Sequence, residues 1–189
     1  MLLGKRYQNR PIYFSDVIVR REWSFSSFSD LRGATWSYND PDSHSGYGIT
    51  RFTLLKMGET NGYFGRVIRA GSHQASIRLV AEGLVDASAI DTQVLAVELR
   101  NHPKLAERLK VIDSLGPSTI QPVVVAAHLA ANLKDEIRSV LVEMSSDAKA
   151  REMMSYAFVS RFTRISDTDY DDIRRMLDAN QAAKFMRLR

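Results

Sequence analysis

Cysteine is absent from this chain of 189 residues, which excludes disulfides, thiolate nucleophiles and Cys-bound zinc, and leaves the redox compartment unread. Long apolar runs are missing as well. No stretch approaches the ~20 consecutive apolar residues that cross a bilayer. Met1-Leu2-Leu3 passes at once into Gly4-Lys5-Arg6, without the apolar core of a secretory signal. Histidine is scarce, with four in all, so each can be weighed singly. An excess of one charge is also lacking: 26 Lys and Arg against 22 Asp and Glu leave +4. That balance is mild for a nucleic-acid binder and congenial to a small anion. No nucleic-acid partner, metal or cofactor is expected, and no internal repeat is present.

What is present reads as alternating strands and helices. Residues 12–20 are rich in β-branched and aromatic side chains and read as a strand, followed by a Ser-rich connector over 24–29. Residues 28–33 form one helical turn closed by glycine, and 34–38 the next strand. A helix is expected over 45–57, with Ile49, Phe52 and Leu55 on its buried stripe. Strands then follow at 66–70 and 85–90, and helices at 73–82, 92–100 and 103–109. Pro103 occupies the first turn of the last of these. A short strand at 110–113 leads into a connector over 115–122, whose two prolines and glycine argue against regular structure, and 123–126 resumes as a strand. The remainder is helical over 133–144, 148–158 and 168–179, with 162–165 as a short edge strand. His102 and His128 have only structural roles in this reading.

Three polar segments each follow an apolar run and open a helix. They are Asn39-Asp40-Pro41-Asp42-Ser43-His44-Ser45-Gly46-Tyr47, Gly71-Ser72-His73-Gln74-Ala75-Ser76 and Asp86-Ala87-Ser88-Ala89-Ile90-Asp91. If their parent strands are parallel neighbours, the three share one rim of one sheet, where helix N-termini converge. A tetrahedral oxyanion is well held there, because backbone N–H groups and short hydroxyls donate without a full balancing charge. Ser43 and Ser45 supply hydroxyls, Gly46 lets the backbone approach, and His44 lies between them as a further donor or cation. His73, in the first turn of a second helix, can face the same rim, where a nearby anion would raise its pKa. Asp91 has two readings: N-cap of the following helix, or a carboxylate that accepts a ligand proton or meets a ligand ammonium.

These segments, together with Gly62-Tyr63-Phe64, resemble the phosphate, phosphite and phosphonate substrate-binding proteins of ABC transporters, over about 13–179. The resemblance implies an α/β fold of the type II periplasmic binding-protein kind, with two lobes around a cleft and the first lobe incomplete. In that frame 1–22 is a remnant of the first lobe with a crossing strand, 23–113 a complete second lobe, and 114–189 the return crossing with the C-terminal helices of the first lobe. It also implies a phosphoryl group held by the Ser43 to Ser45 helix start and His73, with Asp91 near the ligand's far side. A membrane permease as partner and a periplasmic or membrane-anchored extracytoplasmic location follow from the same likeness. Members of that family begin with an export signal and a half-lobe that carries aromatic contacts to the ligand, and this chain enters near the end of that lobe. An exposed apolar patch is therefore expected.

Two other readings stand beside this one. An enzyme could use His73, Asp91 and a serine as a triad, but no Gly-x-Ser-x-Gly elbow occurs, so no enzymatic activity is expected. A ligand-sensing domain of the same architecture is the alternative, as in LysR-type regulators, and so is a fragment that retains no binding. The DNA-binding helix-turn-helix of such regulators is not expected in this sequence. The basic C-terminal residues Lys184, Arg187 and Arg189 read as a solvated helix end.

Overall fold

Burial on both faces decides the centre of the molecule. Val17, Ile18 and Val19 are fully buried on strand β1 (Ile12–Arg20), and strand alternation sends Val17 and Val19 into one apolar cluster and Ile18 into another. A strand so enclosed must carry helices on each side. The computed structural model, which describes residues 1–188, shows this arrangement. Its sheet has the order β3-β2-β4-β1-β5, with β2 at Thr35–Tyr38, β3 at Arg66–Arg69, β4 at Ala87–Asp91 and β5 at Leu109–Thr119. Strand β2 runs parallel to both β3 and β4, whereas β1 is antiparallel to β4 and β5. The ends of β2, β3 and β4 therefore lie on one rim, which is the condition the three polar segments required.

One face is built on aromatic packing. Trp36 is fully buried, stacked on Phe64 at 4.7 Å between ring centroids and edge-on to Phe28 at 5.8 Å. Tyr63 stacks on Phe28 and donates its hydroxyl proton to the Phe28 carbonyl at 2.8 Å. The small residues Ala87 and Ala89 of β4 share this cluster. Gly65 lets its own backbone approach that of Gly33, whose carbonyl oxygen would lie 2.3 Å from an added Cβ. Losing a side chain like Trp36 to alanine costs about 3–5 kcal/mol. Opposite, α2 (His73–Glu82) and α3 (Thr92–Asn101) cover Ile18 and Ile90 with Ile77, Val80 and Leu95. Gly83, at φ 75°, closes α2. The short helix α4 (Pro103–Arg108) leads directly into β5.

The connector expected over 115–122 is largely strand. β5 continues through Gly116-Pro117, a cis peptide bond, to Thr119, because β1 is long enough to offer partners along all of it, from Arg20↔Leu109 to Ile12↔Thr119. Proline is tolerated there since β5 is the sheet edge. The strand expected at 123–126 does not form. Val123, Val124 and Val125 are 60, 78 and 41% exposed, and no strand lies beside them among the described residues. Nor, among the described residues, is there a strand over 162–165; nearby lies an isolated bridge between Leu2 and Val159. Both stretches have strand-forming side chains and no partner.

Helices α5 (Ala131–Glu143) and α6 (Ala148–Tyr156) follow. Helix α7 (Asp171–Ala182) packs against α1 (Ile49–Lys56), and Phe185 and Leu188 beyond it enter the Trp36 cluster. The C-terminal segment thus closes onto the 23–113 unit. Its apolar tail finds cover there.

Candidate functional site

The helix after β2 does not begin as an ordinary α-helix. Residues His44–Gly48 form a π-helical turn, in which the Gly48 N–H donates to the Ser43 carbonyl at 3.0 Å, before α1 continues from Ile49. The extra residue rotates the following face. Leu54, rather than Leu55, becomes fully buried, while Phe52 and Leu55 are only partly covered. Such turns recur at functional sites because they re-aim side chains within one helix.

Ser43 and Ser45 converge with His73. The Ser45 hydroxyl lies 2.8 Å from His73 Nε2 and 3.3 Å from the Ser43 hydroxyl. Ser43 Oγ accepts from Asn39 Nδ2 at 3.0 Å and from the Gly46 N–H at 3.2 Å. A hydroxyl has two acceptor positions and one proton, so Ser43, with both positions filled, is the donor in the 3.3 Å contact and gives its proton to Ser45. With His73 in the tautomer that donates from Nε2, Ser45 accepts twice and keeps its own proton for another acceptor. Gly46 closes the floor of this cradle: an added Cβ would stand 1.9 Å from Asn39 Oδ1 and 3.3 Å from His73 Cε1.

Burial governs the electrostatics of the cradle. Burial pushes the His73 imidazole down to about 4, so the ring is neutral at ordinary pH. Its Nδ1 is buried without a partner among the described residues, as is Asn39 Oδ1. Ser72 caps the helix that carries His73, accepting from the Ala75 N–H at 3.0 Å.

The structure sets His44 and Asp91 apart from this cluster. His44 turns to β5, where its Nε2 is 2.9 Å from the Ser118 hydroxyl. Burial lowers its pKa, and Asp172 partly opposes that shift. Asp91 Oδ1 accepts from the N–H groups of Gln93 at 2.8 Å and Val94 at 3.2 Å, so it caps α3. Its second oxygen accepts from Gln121 Nε2 at 2.5 Å. Burial raises the Asp91 pKa, and those N–H donors oppose the rise.

Sequence reasoning passed over two polar groups. Asn39, four residues before Ser43 in the same segment, was legible as part of the turn; Gln121 reaches Asp91 from 30 residues away, with no local signal. His102 meets Glu98 at 3.8 Å, and His128 is exposed. Among the described residues no group of three potential ligands could hold a metal ion, and no helix is long and apolar enough to cross a membrane.

Known proteins share both this sequence pattern and this architecture. Residues 2–170 match the family model described as the phosphonate periplasmic substrate-binding protein of ABC transporters. A probable ABC transporter phosphite binding protein of Prochlorococcus marinus is 25% identical over an alignment of 178 positions that covers 84% of this chain and 58% of that protein. A binding protein component of an ABC phosphonate transporter from Pseudomonas aeruginosa superposes with a TM-score of 0.81 at 21% identity, over 95% of this chain and 62% of that one. A Prochlorococcus marinus protein solved with methylphosphonate gives 0.75 at 19% identity, over 93% and 68%. This chain therefore spans about three fifths of the length of the first two relatives. Its fold is that of type II periplasmic binding proteins, and with nearly the whole sequence matched, the chain belongs to the phosphonate substrate-binding protein family of ABC transporters.

Proposed function

We propose that this chain binds a phosphonate, phosphite or phosphate-like oxyanion as the solute-binding component of an ABC transporter. Ser43, Ser45 and His73 hold the phosphoryl oxygens, and Gly46 keeps the floor open. The observation that carries this reading is the hydrogen-bond accounting across Ser43 and Ser45, which with Nε2–H on His73 leaves the Ser45 proton for an incoming acceptor. An anion in the cradle would draw the His73 pKa upward, because it favours the charged imidazole. His44 acts through position, tying the π-turn to β5 at Ser118. Asp91 contributes on the far side when a ligand ammonium takes the place of the Gln121 amide on its second oxygen.

The permease is the second partner in this reading, and the site of action lies outside the cytoplasmic membrane, as for the family. Catalysis has no support in the arrangement. The Ser45–His73 pair resembles a nucleophile with its base, yet no carboxylate orients His73 Nδ1 among the described residues. A base at about 4 is also too weak to activate a hydroxyl at neutral pH.

Calorimetric titration with phosphate, phosphite, methylphosphonate and aminoethylphosphonate should show preference for at least one over sulfate. Ser43→Ala combined with Ser45→Ala should weaken that binding by about 2–4 kcal/mol, from two lost charge-assisted bonds. Indifference to all four, or unchanged affinity in the double variant, would overturn the assignment.

A further inference from the structure

Asn39 follows strand β2 at the point where the two helix starts of the cradle meet. Its backbone carbonyl accepts from the Gly71 N–H at 3.0 Å, at the head of the segment that leads to His73. Its side chain serves the other segment, where Nδ2 donates to Ser43 Oγ at 3.0 Å. Asn39 thus touches both halves of the cradle. The amide also lies against Gly46, where an added Cβ would stand 1.9 Å from Oδ1 and 2.9 Å from Cγ.

Stability alone does not call for asparagine at this position. Oδ1 is buried without a hydrogen-bond partner among the described residues, and an unpaired buried polar atom is a cost that an apolar side chain would avoid. What the amide supplies is a direction. Ser43 Oγ has two acceptor positions, and Asn39 Nδ2 and the Gly46 N–H fill both. Its own proton then goes to Ser45, at 3.3 Å. Ser45 accepts that proton and the one on His73 Nε2, at 2.8 Å, and its hydroxyl proton is left pointing away from the pair. Without the Asn39 donor a position on Ser43 falls vacant, and Ser45 can turn its proton inward to fill it. An amide turned over would do the same, because its oxygen would take the Ser43 proton.

We propose that Asn39 is a positioning residue of the cradle, a role that rests on the function proposed above. It holds Ser43 as an acceptor and so fixes the order in which protons are passed from Ser43 to Ser45 and from Ser45 to the ligand. The consequence is chemical selection. A rim that shows a hydroxyl proton, with no acceptor beside it, takes a deprotonated oxyanion oxygen. Each bond in such a chain also strengthens the next when an anion accepts at its end.

The test is a double-mutant cycle, with phosphite and methylphosphonate titrated by calorimetry into the native protein, Asn39→Ala, Ser43→Ala and the combined variant, each checked for folding by urea unfolding. Asn39→Ala should weaken binding about fivefold, the worth of one net hydrogen bond. In the Ser43→Ala background the same change should alter affinity by less than about twofold, since the group it acts through is gone. Asn39→Asp nearly keeps the shape and reverses the donor. It should bind more weakly than Asn39→Ala at neutral pH and more tightly than Asn39→Ala at mildly acidic pH, where a protonated carboxyl donates to Ser43 again. His73 and the Asp40–Arg69 pair are common to all these proteins and cancel when variants are compared at one pH. Unchanged or tighter binding in Asn39→Ala, an equal loss in both backgrounds, or Asn39→Asp no better than Asn39→Ala in acid would each overturn the role of Asn39 alone. Failure of the native protein to bind either ligand would overturn the functional reading, and this proposal with it.

Discussion

Acidification tests the surroundings of His73 without any ligand. Burial holds the folded imidazole at about 4 against an ordinary value of 6.5. Between those values the unfolded chain takes up a proton at this residue and the native chain does not. Its contribution is therefore most favourable above the unfolded value, falls as the pH drops through the interval, and levels off below the folded value. At about 1.4 kcal/mol for each pH unit, the loss comes to ~3 kcal/mol. That is a large share of the roughly 5–15 kcal/mol by which domains are stable. Urea unfolding from about pH 7 to about pH 4, read through the fluorescence of the buried Trp36, should compare the native sequence with His73→Gln. Glutamine keeps a polar group beside Ser45 but cannot titrate, so the variant should lose ~3 kcal/mol less over that range. His44, which burial also lowers, is present in both proteins and cancels in the difference. Parallel pH profiles would refute the buried, neutral imidazole.

Other perturbations separate the parts of the structure. Gly46→Ala should displace Asn39, since the added Cβ would overlap its side-chain oxygen; a weakening of methylphosphonate binding of tenfold or more, about 1.4 kcal/mol, is expected by calorimetry. Asp91→Ala should cost about 1 kcal/mol in urea unfolding through loss of the α3 cap, whereas Asp91→Asn, which retains the acceptor, should cost less. Val124→Asp lies in the exposed valine run and should reduce self-association in sedimentation experiments without lowering the melting temperature. Binding of methylphosphonate near neutral pH should take up protons at His73, so the calorimetric enthalpy should vary with the ionisation enthalpy of the buffer.

Much of the sheet with its flanking helices was legible because its signals are local. Ser72 and Asp91 precede their helices with side chains that satisfy the first free N–H groups, and Gly83 ends α2 where a left-handed residue is needed. Those bonds close within a few residues, so a short window of sequence contains both partners. The errors arose where a partner was remote. Whether 115–119 would be strand depended on the length of β1 beside it. Whether 123–126 and 162–165 would be strand depended on a neighbour that the described residues do not provide. Pattern alone records what a segment can pair with, and carries no record of what lies next to it.

The site divides along the same line. Sequence by itself placed Ser43, Ser45, Gly46, His73 and Asp91 at the ends of strands, because strand, polar turn and helix start follow one another along the chain. Only the tertiary structure brought Ser45 to His73 across 28 residues and turned His44 away to Ser118 across 74. The physical reason is packing. Helix caps and turns are fixed by backbone groups that need partners nearby, whereas the direction of a side chain at the rim is set by the π-turn, by the order of the strands, and by which apolar surfaces close over one another.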